Sequence, residues 1–446
     1  MTGIFRTILL EVAAGLLLAA TILLAGEPAD TAANRLDRKA IVDSVLARFD
    51  ELYVYPKKTT EMRNYVEDKL KNGRYDEFDE LSRFATQLSQ DLITVSQDRH
   101  IAVYRASNYP YLAADGDTLT TADVARRARA NFGFGEVKRL TGNIGYLRFD
   151  RFEHPSIAAP TASAAIAFLA NCDAVIIDLR ENGGGEEEMV QFLLSHFFRE
   201  PTHLINVYDK DSNLLSQSWT YACVPGKALY DTELYVLISR RTASGAEAFS
   251  YDLKCYRRAT LVGETTKGMA HQIKILDLPQ YDLRLHVPYA RPASPITNAS
   301  WEKTGVTPDI EVPSARALGV AHLEACKRLI EKSADEDARR DLEWDMTAIK
   351  ARVDPIMLSQ SNMAVYTGQY AGGTYAIHIK DSRLYWRYSD GVDYVLIPLT
   401  ADLFGFDDTD DVRLQIVRDA SGKVNGFRLV YRDDGDGPVR VRTGDI

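Results

Sequence analysis

The sequence has little that would support a metal ion, a nucleotide or a nucleic acid as a partner. Its 446 residues include only four cysteines, which are widely spaced and form no C-x-x-C pair, so a zinc site is not expected. There is no phosphate-binding loop or haem motif, and the acidic runs at 186–188 and 407–411 lack EF-hand spacing. The net charge of −10, with no block of Lys or Arg to offset it, argues against nucleic acid. We therefore expect no cofactor and no metal.

What is present is an ordinary globular composition, 46% apolar and 26% charged, in a chain long enough for two or three domains. The apolar run Ile8 to Ala25 follows Arg6 and leads into small residues. This order predicts an export signal over residues 1–29, with a retained N-terminal anchor as the alternative. The protein is then periplasmic or extracellular, and only this segment would touch a membrane. The sequence decides neither the oligomeric state nor the pairing of the cysteines.

The pattern of apolar residues changes several times along the chain. Apolar residues recur every three or four positions between 36 and 95, which predicts helices. Buried-type strands, glycine-rich loops and helices then alternate, which predicts α/β units. Short alternating runs after Met357 predict antiparallel strands. The predicted units are the leader at 1–29, a helical domain at 30–110, an α/β core at 111–315, a helical connection at 316–355 and a small antiparallel β domain at 356–446.

The most informative stretch runs from Leu234 to His271. An apolar strand, Leu234 to Ser239, enters a polar turn that holds Ser244, and a helix-like run follows. A serine at such a turn can point its hydroxyl into a cleft where helix N-terminal N–H groups stabilise an oxyanion. The pattern is typical of a catalytic nucleophile.

A serine nucleophile needs a base, a group that orients the base, and oxyanion donors. His100 lies in a polar turn before a strand, although a lone histidine is more often structural. The glycines at 183–185 follow the buried-type strand Ala174 to Leu179, and glycine allows close backbone approach to a substrate. The same run is equally well explained as a tight turn. Glu302, beside a Trp and before a Gly, can orient a base but by itself is an ordinary loop acid.

Taken together, six stretches resemble the tail-specific and tricorn-type serine peptidases, in the branch that includes the interphotoreceptor retinoid-binding protein repeats. They are DRHIAVY, GNIGYLRF, DAVIIDLRENGGG, TASGAEAF, ATLVGETTKGMAH and WEKTGVTPDIEVP, in the family's order. The resemblance spans roughly residues 36–315. It implies a crotonase/ClpP-like superhelical α/β core with an N-terminal helical bundle, followed by a C-terminal antiparallel β domain.

The resemblance also implies roles for individual residues. Ser244 stands at the position of the nucleophile, and Gly245 would donate one oxyanion N–H. A glycine of the NGGG run, Gly184 by preference, would donate the second. His100 falls at the position of the general base in the tricorn-type branch, and Glu302 at that of an acid completing the charge network. The implied activity is hydrolysis of peptide bonds through an acyl-enzyme, with peptides or unfolded proteins as substrates.

The sequence departs from the family at two points. The tail-specific branch has a lysine 25 residues after the serine, where this chain has Met269. Lys267, two residues earlier, remains an alternative base. The tricorn pattern has a serine directly before its histidine, where this chain has Arg99, and Asp98 or Ser96 can substitute. No PDZ-like segment separates the helical domain from the core.

Two other interpretations remain open. The first is a non-catalytic protein that binds an apolar ligand or a partner on the same fold. The second is an inactive scaffold whose C-terminal domain binds a partner or a glycan, since that domain is rich in Tyr and Trp. Aromatic residues on strands are more often cross-strand packing pairs. The presence of Ser244, His100 and Glu302 together favours the enzyme.

Overall fold

The computed structural model describes residues 36–108, 119–433 and 435–445. The predicted leader at 1–29 lies outside these residues, as does the predicted boundary at 110–111. Within the described ranges, no helix combines the length and the apolar character needed to cross a bilayer.

Helices and strands follow one another along the chain, with strands dominating after residue 365. The helices are α1 (Arg38–Leu52), α2 (Pro56–Lys71), α3 (Leu81–Ser96), α4 (Thr121–Arg129), α5 (Pro155–Leu169), α6 (Glu187–Leu194), α7 (Gly245–Cys255), α8 (Ser314–Lys332), α9 (Glu336–Val353) and α10 (Gln360–Ala364). The strands are β1 (Ala102–Arg105), β2 (Phe134–Leu140), β3 (Ile144–Phe149), β4 (Ala174–Asp178), β5 (His203–Tyr208), β6 (Leu214–Trp219), β7 (Glu233–Ile238), β8 (Thr260–Gly263), β9 (Gln272–Leu278), β10 (Leu283–Ala293), β11 (Ile310–Glu311), β12 (Gly368–Tyr370), β13 (Tyr375–Lys380), β14 (Arg383–Tyr388), β15 (Asp393–Pro398), β16 (Leu403–Phe406), β17 (Val412–Arg418), β18 (Val424–Tyr431), β19 (Gly435–Asp436) and β20 (Arg440–Gly444).

The N-terminal helices α1 to α3 form the predicted bundle. Their periodic apolar residues, such as Val45, Phe49 and Leu88, are buried against each other and against β1 and β10. Asp37 caps α1 by accepting the N–H of Ala40, which supplies one of the acceptors that a helix start lacks. The bundle is therefore packed directly on a sheet of the core.

The central sheet has the strand order β11-β8-β7-β4-β3-β2. All neighbours are parallel except β2 and β3. Helices α5, α6 and α7 contribute buried residues to the core on one face, and α8 covers the other through Ala317, Ala321 and Ala325. Burial on both faces explains why β4 reads as a continuous apolar run.

A second sheet has the order β1-β10-β5-β6, with β9 also paired to β10. The C-terminal strands form an antiparallel sheet in which β17 pairs with β18, so that the sheet closes into a barrel. The aromatic residues of this domain pack on one another: Trp386, for example, stacks with Tyr375 at 5.6 Å and contacts Phe406. The fold class is thus mixed helix and sheet, with N-terminal helices and a C-terminal antiparallel β domain, as predicted, and the closure of that domain into a barrel is an addition from the structure.

Two local features of the helices were not predicted. Near the start of the predicted core lies α4, whose Thr120 and Asp123 form a capping box. The helical connection predicted at 316–355 consists of two helices, α8 and α9, because Asp335 caps a new helix with its side chain. The first of these, α8, packs on the central sheet and so is part of the core.

Candidate active site

Three loops meet at one edge of the central sheet. Strands β4, β7 and β8 are parallel neighbours, so the segments that follow them leave the sheet at the same edge. These segments are the glycine run 182–185, the turn with Ser244, and the loop 264–271. The fold therefore brings together the motifs that are far apart in sequence.

Ser244 lies between β7 and α7 with a strained backbone. Its φ is 53° and ψ is −121°, a conformation that residues other than glycine rarely adopt. Gly245 follows as the first residue of α7, where backbone N–H groups lack acceptors within the helix. The strand, turn and helix predicted around Ser244 are confirmed as local structure.

Glu247 fixes this turn from within. Its side chain is fully buried and accepts hydrogen bonds from the Ser244 N–H (2.9 Å), the Thr266 hydroxyl (2.5 Å), the Gly268 N–H (2.6 Å) and the Met269 N–H (2.9 Å). Burial raises the pKa of Glu247, and these four hydrogen bonds oppose that rise. One carboxylate thus ties the loop 264–271 to the backbone of Ser244.

The glycine run lies directly against Ser244. A Cβ on Gly184, whose φ is +98°, would sit 2.7 Å from the Ser244 Cβ and 2.7 Å from the Gly245 nitrogen. The N–H of Gly184, however, donates to Asn182 Oδ1 at 2.8 Å, so the predicted second oxyanion donor is already bonded in this structure. A Cβ on Gly245 would lie 3.2 Å from the nitrogen of Gly185. In the described part of the chain, no acceptor takes the N–H of Gly185 or of Gly245.

His100 is buried in the turn between α3 and β1. Its backbone N–H donates to Asp98 Oδ1 (3.0 Å), and its ring Nδ1 lies 3.8 Å from the same oxygen. Neither ring nitrogen has a hydrogen-bond partner among the described residues, so the bond predicted between His100 and Ser244 is not formed here. Burial lowers the pKa of His100 to about 4, which keeps the ring neutral and able to accept a proton at neutral pH.

The turn that carries His100 contacts the loop 264–271. The Arg99 guanidinium donates to the carbonyl of Lys267 at 3.2 Å, and the Asp98 Oδ2 accepts a hydrogen bond from His271 Nδ1 at 2.7 Å. The same loop is tied to Ser244 by Glu247. His100 and Ser244 therefore flank one loop.

Glu302 does not pair with His100, contrary to the prediction. Its Oε2 accepts the N–H of Ala270 at 2.8 Å and lies 3.7 Å from His271 Nδ1. The physical reason is that Asp98, two residues before His100 in the same turn, already presents its carboxylate to that histidine. Burial raises the pKa of Glu302.

His271 is the residue that sequence reasoning missed. It ends the ATLVGETTKGMAH motif, immediately before β9, and it is buried. Its place in a glycine-containing loop after a buried strand was the available signal. The pattern of charges offered no reason to choose it, because its partner Asp98 is distant in sequence.

Lys267, the alternative base, is exposed. Its backbone N–H donates to the Thr242 carbonyl at 3.0 Å. A lysine acts as a base when it is desolvated or close to another cation, and this side chain faces water. Ser96, the other substitute considered for the missing serine, uses its hydroxyl to accept the N–H of Asp98.

The donor atoms of three residues lie within 4.8 Å of one another, close enough to hold a metal ion: Asp98, His271 and Glu302. Carboxylate oxygens and an imidazole nitrogen suit divalent cations such as Zn²⁺. The direct hydrogen bond between His271 Nδ1 and Asp98 Oδ2 already pairs these two atoms without an ion. The geometry is therefore explained by hydrogen bonding alone.

These features define an α/β protein built around a candidate nucleophilic serine at a strand-to-helix turn. Residues 143–312 match the model of Peptidase family S41, so this stretch is similar to that family, which confirms the predicted resemblance at that level. The finer assignment to the retinoid-binding-protein branch stays a prediction.

The curated relatives that the chain matches include carboxyl-terminal-processing proteases and a tail-specific protease. The chain is 28% identical over 44% of its length to a carboxyl-terminal-processing protease of Picosynechococcus, covering 46% of that protein. It is 32% identical over 32% of its length to the tail-specific protease of Haemophilus influenzae, covering 20% of it. It is 28% identical over 39% of its length to the chloroplastic carboxyl-terminal-processing peptidase 2 of Arabidopsis thaliana, covering 32% of it. The chain thus spans between a fifth and a half of the length of these relatives.

Among solved structures, similarity is remote. A lipoprotein from Streptococcus agalactiae has a TM-score of 0.46 at 16% identity, with 67% of this chain and 99% of that chain covered. The photosystem II D1 C-terminal processing protease has a TM-score of 0.42 at 15% identity, with 62% and 94% covered.

Proposed function

We propose that the protein is a serine peptidase in which Ser244 attacks the carbonyl carbon of a peptide bond. The observation that carries the proposal is the strained Ser244 at the start of α7, in contact with Gly184 and followed by the free N–H of Gly245. Strain held by surrounding structure is a feature of functional positions. The position of this turn within the match to Peptidase family S41 supports the same role.

His100 serves as the general base in this proposal. It takes the proton of the Ser244 hydroxyl as the Oγ–C bond forms, and later gives that proton to the leaving amine as the C–N bond breaks. Water then attacks the acyl carbon while His100 takes a proton from it, and His100 returns that proton to Ser244 Oγ as the Oγ–C bond breaks. Since apo hydrogen bonds at catalytic sites are often long, the missing Ser244 to His100 bond is compatible with closure upon substrate binding.

The oxyanion would be held by two backbone N–H groups, each worth roughly 3 kcal/mol of barrier. Gly245 supplies the first, as the sequence predicts. For the second we choose Gly185 over the predicted Gly184, because the N–H of Gly184 already donates to Asn182. Both glycines lie against Gly245, so the change moves the donor by one residue along the same loop.

The substrates in this proposal are peptides or unfolded proteins, and the protein is exported. The relatives that carry the names carboxyl-terminal-processing and tail-specific protease support a peptide substrate. The apolar segment at 8–25 carries the export proposal.

Ser244→Ala is the decisive test, measured as hydrolysis of an unstructured peptide by the full chain. We expect the rate to fall by on the order of a millionfold, as when a serine nucleophile is removed from a comparable enzyme. Ser250→Ala is the matched control, since Ser250 lies on α7 and donates to the Ala246 carbonyl. Hydrolysis unchanged by Ser244→Ala would refute the proposal. Comparing His100→Ala with Lys267→Ala then identifies the base, and we expect only the first to lose activity.

A non-catalytic binding protein on the same fold is distinguished by labelling. A fluorophosphonate should modify the wild-type chain at Ser244 and leave Ser244→Ala unmodified. The binding interpretation predicts no hydrolysis and no labelling in either.

A further inference from the structure

The Asp98 carboxylate lies between two imidazoles that come from different parts of the chain. Its Oδ1 accepts the backbone N–H of His100 and faces the His100 ring at 3.8 Å. Its Oδ2 accepts from His271 Nδ1 at 2.7 Å and from the Tyr53 hydroxyl at 3.3 Å. One acid thus joins the proposed base to a second histidine.

This acid is fully buried, so its charge depends on its partners. Burial by itself would raise the pKa of Asp98, but the hydrogen bond from His271 and the nearby imidazoles bring that pKa below its ordinary value. An ionised carboxylate in such a place is stable only when it is hydrogen-bonded and paired. His271 supplies the shortest of these bonds.

The tautomer of His271 follows from its neighbours. The atoms facing Nδ1 are two carboxylate oxygens, Asp98 Oδ2 at 2.7 Å and Glu302 Oε2 at 3.7 Å. Both can only accept, so Nδ1 carries a hydrogen. Among the described residues, Nε2 has no partner. Glu302 also holds the N–H of Ala270, which fixes the backbone next to His271.

We propose that His271 is a positioning residue for peptide hydrolysis, acting through Asp98 on His100. Its Nδ1–H holds the Asp98 carboxylate ionised and aimed at the His100 ring, so that Asp98 takes the orienting role predicted for Glu302. Glu302 supports His271 by accepting the N–H of the neighbouring Ala270. The inference rests on the proposed peptidase function and on His100 as its base.

The test compares three variants of the full chain by kcat, KM and the pH profile of peptide hydrolysis. His271→Ala should lower kcat by about 10- to 100-fold with KM changed by no more than about twofold, the effect of losing one hydrogen bond to a charged group. His271→Asn should restore most of the rate, because its amide nitrogen takes the place of Nδ1. His271→Gln should not, because its amide nitrogen takes the place of Nε2.

The acidic limb of the pH profile of kcat/KM is a second measurement. If His271 had only a structural role, the pH at which this limb falls would not change. In His271→Ala, Asp98 loses the hydrogen bond and charge that lower its pKa, and His100 loses a neighbouring charge that lowers its own. Activity needs Asp98 ionised and His100 neutral, so both changes shift the limb to higher pH. Other charged or titratable groups around the pair stay in place in every variant: Tyr53, Tyr55, Glu302, Lys267 and His286.

His203→Ala, which changes a histidine stacked on Trp219, should leave the activity unchanged and serves as the control. Full activity in His271→Ala would overturn the inference. So would His271→Asn as inactive as His271→Ala, since Nε2 rather than Nδ1 would then be the essential atom. Ser244→Ala is measured alongside: if it is inactive while His271→Ala is not, only this inference fails, and if it is active, the proposed function fails first.

Discussion

Helix α7 carries two buried carboxylates in opposite circumstances. Glu247, in its first turn, receives four hydrogen bonds. Asp252, in a later turn, is 1% exposed, and neither of its oxygens has a hydrogen-bond partner among the described residues. Burial raises the pKa of both, and for Asp252 the charge of Glu187 raises it further.

The difference shows what a buried acid requires. A carboxylate surrounded by donors can stay ionised away from water, and in doing so it fixes the groups that donate to it. A carboxyl without donors is stable only when it is protonated, and it then fixes nothing. The first arrangement lies beside Ser244 and organises the site. The second lies in the body of α7 and makes stability depend on pH.

The largest expected effect comes from removing Glu247. Glu247→Ala leaves the N–H groups of Ser244, Gly268 and Met269 without an acceptor inside the protein. We expect the free energy of unfolding to fall by about 4 kcal/mol, because each unsatisfied buried donor costs roughly 1–3 kcal/mol and relaxation recovers part of the sum. We also expect peptide hydrolysis to be lost, since the loop 264–271 is no longer tied to Ser244. Urea denaturation measures the first quantity and peptide hydrolysis the second.

Glu247→Gln is the control for that change. Its single remaining oxygen keeps an acceptor for two of the four donors, so it should lose less stability than Glu247→Ala. Equal losses in both variants would show that charge, and not the number of acceptors, holds the turn. A loss below about 1 kcal/mol in Glu247→Ala would contradict the comparison itself.

Asp252 tests the other half of the comparison through pH. The pKa of Asp252 is raised well above its ordinary value in the folded protein. Its contribution to stability is therefore present below the unfolded carboxyl pKa of about 3.9 and is lost as pH rises toward the folded pKa. Asp252→Asn does not titrate, so its advantage over the wild type should grow across that window by up to about 1.4 kcal/mol per pH unit.

Urea midpoints of the wild type and Asp252→Asn, measured from pH 4 to pH 8, check this prediction. Glu187→Gln should give a smaller shift in the same direction, since the charge of Glu187 ranks below burial as the cause. Parallel stability curves for the wild type and Asp252→Asn would mean that Asp252 finds a partner in solution.

The sequence was sufficient to predict the parts of the site that are local. A strand followed by a turn and a helix can be read from neighbouring residues, and so the setting of Ser244 and the glycine run after β4 were predicted. The order of the elements was also enough to predict the helical bundle, the α/β core and the C-terminal β domain. These features depend on periodicity and turn chemistry, which act over a few residues.

The parts of the site that the sequence does not indicate depend mostly on contacts between distant segments. His271 pairs with Asp98 across 173 positions, and nothing near either residue indicates the partner. Glu302 was assigned to His100 by its place in a motif, whereas packing puts it beside Ala270 and His271. Gly184 is a local exception, because the side chain that accepts its N–H is that of Asn182, two residues earlier in the same motif. Which polar group bonds to which is settled by tertiary packing, and short motifs do not encode it.

The smallest effect on stability is expected for an ion pair whose charges are solvated by water. Arg199 and Asp231 form an ion pair at 2.6 Å, but their side chains are 61% and 86% exposed. A double-mutant cycle of Arg199→Ala and Asp231→Ala should give a coupling below about 0.5 kcal/mol, since exposed pairs are solvated and must order two flexible side chains. Urea denaturation in low and high salt measures it. A coupling energy between Arg199 and Asp231 as large as the stability lost in Glu247→Ala would contradict this expectation. It would show that a short distance is enough for a strong interaction, whether or not the acid is buried. The contrast between Glu247 and Asp252 would then need an explanation other than burial.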